Sequence, residues 1–157
     1  MSKFQLKNFF KSAYDLLLVF LQFFFISLHL FQWEFLPQKQ IIQASPFSYS
    51  LGILIIIIAF IIMLVSVKDL GRNLSPFPRP MKNSNLVTSG IYRFTRHPMY
   101  YSLIFISIGA FIIKLSTYYL FLTISLALII KFKIALEEKY LMNKFKNYLL
   151  YKNEVKV

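Results

Sequence analysis

Four stretches of the chain carry almost no polar side chain. The first runs from Leu16 to Trp33 and is interrupted only by the neutral Gln22, Ser27, His29 and Gln32; the second, Leu51 to Val67, holds no charge at all. Two shorter runs, Met99 to Ile113 and Leu115 to Ile130, are separated by Lys114 alone. Crossing the hydrocarbon of a bilayer takes about 20 apolar residues in a helix. The pattern therefore predicts spans at about 14–33 and 50–69, then a tight hairpin of 99–114 and 115–134 whose short arms either cross fully or re-enter. Trp33 suits the far interface, and Tyr118, Tyr119 and the stem of Lys114 suit the hairpin's turn. Gly52, Ala59 and Ser66 recur every seven residues, a stripe on which a second helix can pack closely. After the fourth run, Leu136, Tyr140, Leu141, Phe145, Tyr148 and Leu149 fall at helical spacing with lysines between them, predicting an amphipathic helix over 135–152 that lies in the interface. The fold class expected is an all-α membrane protein: one domain over 1–157, with about four transmembrane helices and a C-terminal interfacial helix.

Composition agrees with that reading. Of the 157 residues 57% are hydrophobic and only 15% charged, a mix that a water-soluble core cannot bury. The formal charge of +12 follows the ends of the apolar runs rather than a separate polar domain, which points to lipid head groups and not to nucleic acid. Its distribution predicts a topology. Lys3, Lys7 and Lys11 precede the first run, the second loop carries Arg72, Arg79, Lys82, Arg93 and Arg96, and the tail holds seven lysines against three glutamates. Positive segments stay in the cytoplasm, so both termini and the second loop are expected there, in a bacterial inner membrane or an endomembrane. No small-residue cleavage site follows the first run, which reads as an anchor. Cysteine is absent and there are two histidines, so disulfides, a catalytic thiol and a zinc-type site are not expected.

The second loop, 70–98, holds most of the special residues. Pro76, Pro78 and Pro80 impose an extended backbone suited to lining a groove, and Gly90 permits a turn that a side chain resists. Pro98 stands where the third helix should start, which puts Arg96 and His97 at the positive end of its dipole. An anion bound there would be met by the free amides and both cations; in the plainer alternative Arg96 is a membrane anchor and His97 a neutral cap. Glu137 and Glu138 are acids at the end of an apolar helix, costly unless paired or hydrated, and about 100° apart on the helix so that one at most faces inward. Lys133, four residues earlier, is a possible partner for Glu137. His29 has no accompanying His, Cys or acid and reads as a packing or interfacial residue rather than a ligand, while Asp15 and Asp69 read as ordinary carboxylates at span ends.

These residues resemble the isoprenylcysteine carboxyl methyltransferase and phospholipid methyltransferase superfamily of integral membrane enzymes. The resemblance rests on Leu86-Val87-Thr88-Ser89-Gly90-Ile91-Tyr92, then Arg96-His97-Pro98-Met99-Tyr100, then an apolar hairpin, then Glu137-Glu138 with Leu141 and Phe145, and covers about the C-terminal two thirds of the chain. It implies S-adenosyl-L-methionine as cofactor, in a pocket at the cytoplasmic face. Carried over by position, Leu86, Val87, Tyr92, His97, Pro98, Tyr100 and Glu137 contact it, with Ser84, Asn85 and Glu138 beside them. His97 and the helix start suit the methionine carboxylate, Glu137 suits the amino group or ribose hydroxyls, and Tyr92 or Tyr100 suits the sulfonium. The resemblance further implies a lipophilic acceptor, an isoprenoid-linked carboxylate or a phospholipid amine, positioned by Arg96 and Lys133 or met by Arg93.

Three positions depart from the family pattern. Gly-Pro-Tyr is Gly90-Ile91-Tyr92 here; the Arg expected four residues before the acid pair is Lys133, which lacks a bidentate fork; and the usual Phe-Gly before spaced tyrosines is Phe145-Lys146-Asn147-Tyr148. The competing expectation is a non-catalytic membrane lipid-binding or assembly protein of the same fold. A reductase of similar architecture would need a nicotinamide motif, and none is visible.

Overall fold

The computed structural model describes residues 3–30 and 39–155, with side chains from Ala13 onward in the first segment. Trp33 and the side chains of Lys3, Lys7 and Lys11 lie outside what is described. Five α-helices follow in order: α1 (Lys3–Leu30), α2 (Pro46–Leu70), α3 (Pro98–Lys114), α4 (Thr117–Lys144) and α5 (Tyr148–Glu154), with single 3-10 turns at Gly71–Asn73 and Gly90–Arg93. Three of them, α1, α2 and α4, are long and apolar enough to cross a membrane, and α3 is a shorter apolar helix. The protein is an all-α membrane protein.

Local chemistry explains the helix ends. Ser45 caps α2 in a reciprocal pair with Ser48, each backbone N–H donating to the other's hydroxyl at 3.2 and 2.9 Å, and Pro46 occupies the first turn. Pro98 likewise opens α3. Between α3 and α4 only Leu115 and Ser116 intervene: Leu115 is left-handed (φ 44°), and Ser116 accepts the Tyr119 amide. This turn is held by the segment before α2, where the Ile41 N–H donates to the Leu115 carbonyl (2.8 Å) and the Thr117 N–H to that of Lys39 (3.0 Å). The expected tight hairpin is therefore present.

α2 and α3 run antiparallel in very close contact. A Cβ on Gly52 would lie 2.6 Å from Ile113 Cγ1 and 2.7 Å from the Gly109 carbonyl, and one on Gly109 would lie 2.6 Å from Ile56 Cγ1. Gly52, Ala59 and Ser66 are all buried along this seam, as the seven-residue stripe predicts. On the other side, α3 packs on α4 and α4 on α1. Phe25 of α1 reaches two apolar clusters, one around Tyr100, Leu126 and Ile130 and one around Tyr118, Tyr119 and Leu122. His29 belongs to this interior: its Nδ1–H donates to the Phe25 carbonyl (2.7 Å), leaving Nε2 to accept from Ser107 Oγ (2.6 Å), which in turn meets Thr123 Oγ1 (2.8 Å). It is a packing residue, as expected. The outer faces of α1, α2 and α4 expose Phe20, Phe23, Ile57, Ile61, Leu128 and Phe132 among others, which suits acyl chains.

The C-terminal region differs from the expectation of one interfacial helix over 135–152. α4 continues unbroken to Lys144, Phe145 turns extended (φ −114°, ψ 112°), and α5 is a separate seven-residue helix with Tyr148 and Tyr151 buried. Two lysines of this stretch, Lys144 and Lys152, bind protein groups. The Lys144 ammonium, for example, is taken by the Met81 and Lys82 carbonyls and by Ser84 Oγ.

Candidate active site

At the end of the bundle where α2 finishes and α3 begins, a cleft is walled by the Pro-rich segment, the Gly90–Arg93 turn, the start of α3, the far end of α4, and α5. It encloses about 760 Å³ of space between protein atoms, including the part open to solvent.

Each wall is fixed by its own polar contacts. Asp69, at the end of α2, accepts the Ile91 N–H at 2.8 Å and lies so close beneath Gly90 (φ 62°) that a Cβ there would sit 2.1 Å from its Oδ2. This brings Tyr92 back over α2, where its hydroxyl reaches the Ser66 carbonyl at 3.5 Å. Asn73 Oδ1 accepts the Asn85 N–H at 3.0 Å, closing the Pro-rich excursion on itself and presenting Ser84, Asn85, Leu86 and Val87 to the cleft. On the opposite wall Tyr100 donates its hydroxyl to Glu137 Oε2 at 2.7 Å and stacks on the His97 ring, with centroids 5.8 Å apart.

Behind this wall lies a dense charge cluster. Arg96 donates Nε and Nη2 to Glu138 Oε1 (3.0 and 2.8 Å) and Nη1 to the Lys152 and Val155 carbonyls. Lys152 donates to Glu138 Oε2 at 2.7 Å, and His97 Nε2 approaches Oε1 at 3.4 Å. Together with Tyr151, whose hydroxyl donates to the Tyr92 carbonyl at 2.6 Å, these bonds seat α5 against the cleft. Burial pushes the Tyr92 and Tyr148 hydroxyls above the usual phenol range and Tyr151 up to about 12, so all three remain donors at neutral pH.

Nine of the expected residues line this one cleft: Ser84, Asn85, Leu86, Val87, Tyr92, Arg96, His97, Tyr100 and Glu137. Three do not. Pro98 is fully buried in the first turn of α3, Glu138 faces the cations behind the wall, and Lys133, 1% exposed, donates to Gln22 Oε1 and to the Pro76 carbonyl (2.9 Å) with its ammonium 5.2 Å from the Tyr100 ring. Lys133 thus forms no ion pair with Glu137. Arg93 lies over the Phe94 ring, outside the cleft. Asp15 is not a plain span-end carboxylate either: it is buried against Arg79 (2.9 Å) and accepts from the Tyr140 hydroxyl (3.0 Å). Unanticipated residues on the wall are Asn73, Phe77, Arg79, Tyr148 and Tyr151. The proline spacing signalled the groove segment that carries Phe77 and Arg79, but nothing local marked which of its side chains turn inward.

The distribution of this machinery along the chain coincides with a known pattern. Residues 47–148 match the family model described as phospholipid methyltransferase. The chain belongs to the phospholipid methyltransferase family. It is also 33% identical, over 125 aligned residues, to the protein-S-isoprenylcysteine O-methyltransferase of Saccharomyces cerevisiae, an alignment covering 71% of this chain and 52% of that protein. The chain thus spans about half the length of this curated relative. Every wall of the cleft except part of α5 falls within the family match, whereas α1, which supplies Asp15 and Gln22, precedes it.

The polar groups of the cleft suit S-adenosyl-L-methionine. Tyr148 is 1% exposed and its hydroxyl has no hydrogen-bond partner among the described residues, although it lines the cleft. A buried hydroxyl left unpaired costs about 1–3 kcal/mol, which a ligand acceptor atom would recover. Glu137 retains an oxygen free of Tyr100 for a cationic or hydroxyl donor, and the aromatic rings of Tyr92, Tyr100 and Phe145 suit a sulfonium.

Proposed function

We propose that the protein is a membrane-bound S-adenosyl-L-methionine-dependent methyltransferase acting on a lipophilic acceptor, an isoprenoid-linked carboxylate or a phospholipid amine, at the cytoplasmic face. The observation that carries this reading is the convergence of His97, Tyr100 and Glu137 with the 84–87 segment and the unpaired Tyr148 hydroxyl around one cleft at the bundle's end. Bound there, S-adenosyl-L-methionine would supply an activated methyl group for in-line transfer to an acceptor oxygen or nitrogen, the carbon–sulfur electron pair leaving with sulfur. The protein's contribution is alignment and exclusion of water. Glu137, oriented by Tyr100, holds the cofactor's amino group or ribose; His97 and the Met99 N–H in the first turn of α3 face its carboxylate, the Tyr100 and Tyr101 N–H groups being taken by the His97 carbonyl; and Tyr148 donates to whichever acceptor atom reaches it. Arg96 acts by fixing Glu138 and α5. On this reading the arginine- and lysine-rich end of the bundle faces the cytoplasm, as the charge bias favours.

The test is incubation of the nanodisc-reconstituted protein with methyl-labelled S-adenosyl-L-methionine and total membrane lipid extract. Label in a lipid product, identified by mass, and saturable cofactor binding that His97→Ala and Glu137→Ala weaken are the expected results. Cofactor binding unchanged in both variants refutes the site assignment. The engagement of the Lys133 ammonium by Gln22 and Pro76 favours a second reading, a non-catalytic lipid-binding protein of the same fold; label in any lipid product eliminates it.

A further inference from the structure

We propose that Arg79 receives the anionic head group of the acceptor, and that Asp15 of α1 aims it. This inference deepens the methyltransferase reading and rests on it for the identity of the ligand as acceptor.

Arg79 lies on the cleft wall with its side chain 46% exposed. Its Nη2 is 2.9 Å from Asp15 Oδ2 and 3.5 Å from the Tyr140 hydroxyl, and its guanidinium carbon is 5.3 Å from the Tyr140 ring centroid. Asp15 divides its two oxygens between Arg79 and Tyr140 and has a side chain only 6% exposed, so it has no room to swing. This holds the guanidinium by one nitrogen. Among the described residues, Nε and Nη1 meet no acceptor, leaving three N–H donors unused.

The other cations near the cleft are already committed. All three guanidinium nitrogens of Arg96 donate to Glu138 or to the Lys152 and Val155 carbonyls. Lys133 is buried away from the wall on Gln22 and Pro76. Arg79 is therefore the wall cation with donors to spare, and a planar guanidinium matches a carboxylate or phosphate better than an ammonium does. Its surroundings suit a lipid. Leu74, Phe77 and Met81, on the same segment, are 42%, 40% and 40% exposed, offering apolar contact to a chain whose head lies at Arg79. The ligand chemistry is an anion on an apolar tail, from an isoprenoid-linked carboxylate or from the phosphate of a phospholipid.

The test uses the full chain in nanodiscs and two matched pairs of labelled probes in equilibrium binding. One pair is N-acetyl-S-farnesylcysteine and its methyl ester; the other is lysophosphatidylethanolamine and the monoacylglycerol of the same chain. The wild type is expected to favour the member bearing the free carboxylate or the phosphate in at least one pair by about tenfold or more, Arg79→Gln to erase that preference, and Arg79→Lys to restore part of it. The pair that responds identifies the source of the anion. Asp15→Asn is expected to raise the acceptor KM about three- to tenfold with the dissociation constant of S-adenosyl-L-methionine unchanged, and Asp15→Glu to recover part of the loss. A preference that survives Arg79→Gln in both pairs, or no preference in the wild type for either, overturns the proposal. A preference dependent on Arg79 without any methyl transfer would leave the anion site standing and remove the methyltransferase reading; methyl transfer with an acceptor KM indifferent to Arg79→Gln would do the reverse.

Discussion

Glu137 and Glu138 are adjacent in sequence, yet their surroundings assign them opposite consequences when each is changed to glutamine. Glu138 accepts from Arg96 and Lys152 and stands 3.4 Å from His97 Nε2, with its side chain 11% exposed and that of Arg96 6% exposed. Removing its charge leaves a buried guanidinium uncompensated, an effect of about 3–5 kcal/mol in protein interiors. The partial exposure of Lys152, at 34%, and the acceptor oxygen that glutamine retains place Glu138→Gln at the low end, about 3 kcal/mol. For a chain of this size that lowers the unfolding midpoint by about 6–12 °C. Glu137 instead faces the cleft, hydrogen-bonded among the described residues to Tyr100. Glu137→Gln should leave the midpoint within about 2 °C while weakening S-adenosyl-L-methionine binding by about 10- to 100-fold, the loss of one charge-assisted hydrogen bond. Thermal unfolding in detergent and calorimetric titration of the two variants measure both quantities. A Glu138→Gln variant that unfolds at the wild-type temperature, or a Glu137→Gln variant that binds S-adenosyl-L-methionine as the wild type does, refutes these assignments.

Two further outcomes follow from the backbone and the phenols. Gly90→Ala places a methyl group 2.1 Å from Asp69 Oδ2 at φ 62°, so the turn must shift; S-adenosyl-L-methionine affinity should drop at least about tenfold, and an unaltered titration would contradict this. Tyr151, raised to about 12, contributes stability that is complete below its unfolded value near pH 10 and is lost as pH rises through 12; Tyr151→Phe should flatten this alkaline limb of the unfolding curve and leave the neutral region's pH slope unchanged.

The helices were legible because lipid exposure demands uninterrupted apolar runs, and the hairpin because a single lysine broke one. The seven-residue stripe also carried real information, since Gly52 and Gly109 approach so closely that neither tolerates a Cβ. Glu137 and His97 stood out as polar residues at the ends of apolar helices, the resemblance gave them a cofactor role, and they do share a cleft. What local pattern could not supply was the direction taken by side chains whose partners are remote in sequence. Lys133 lies on the same helical face as Glu137, but Gln22, 111 positions away, draws its ammonium off the wall. The division of 135–152 escaped for the same reason, because Lys144, bound to carbonyls of another loop, looks in sequence like a lysine facing head groups.

The unbroken course of α4 makes one rod serve two environments. Thr123, wedged among the bundle's interior hydroxyls, and Glu137, on the cleft, are carried by it with no hinge between them. At 1.5 Å per residue they are about 21 Å apart, so a tilt of about 5° taken about Thr123 would move the Glu137 position by about 2 Å. On the proposed reading, thinner or thicker lipid, which helices meet by tilting, would shift Glu137 against the other walls of the cleft and so couple the width of that cleft to the bilayer in which the protein sits.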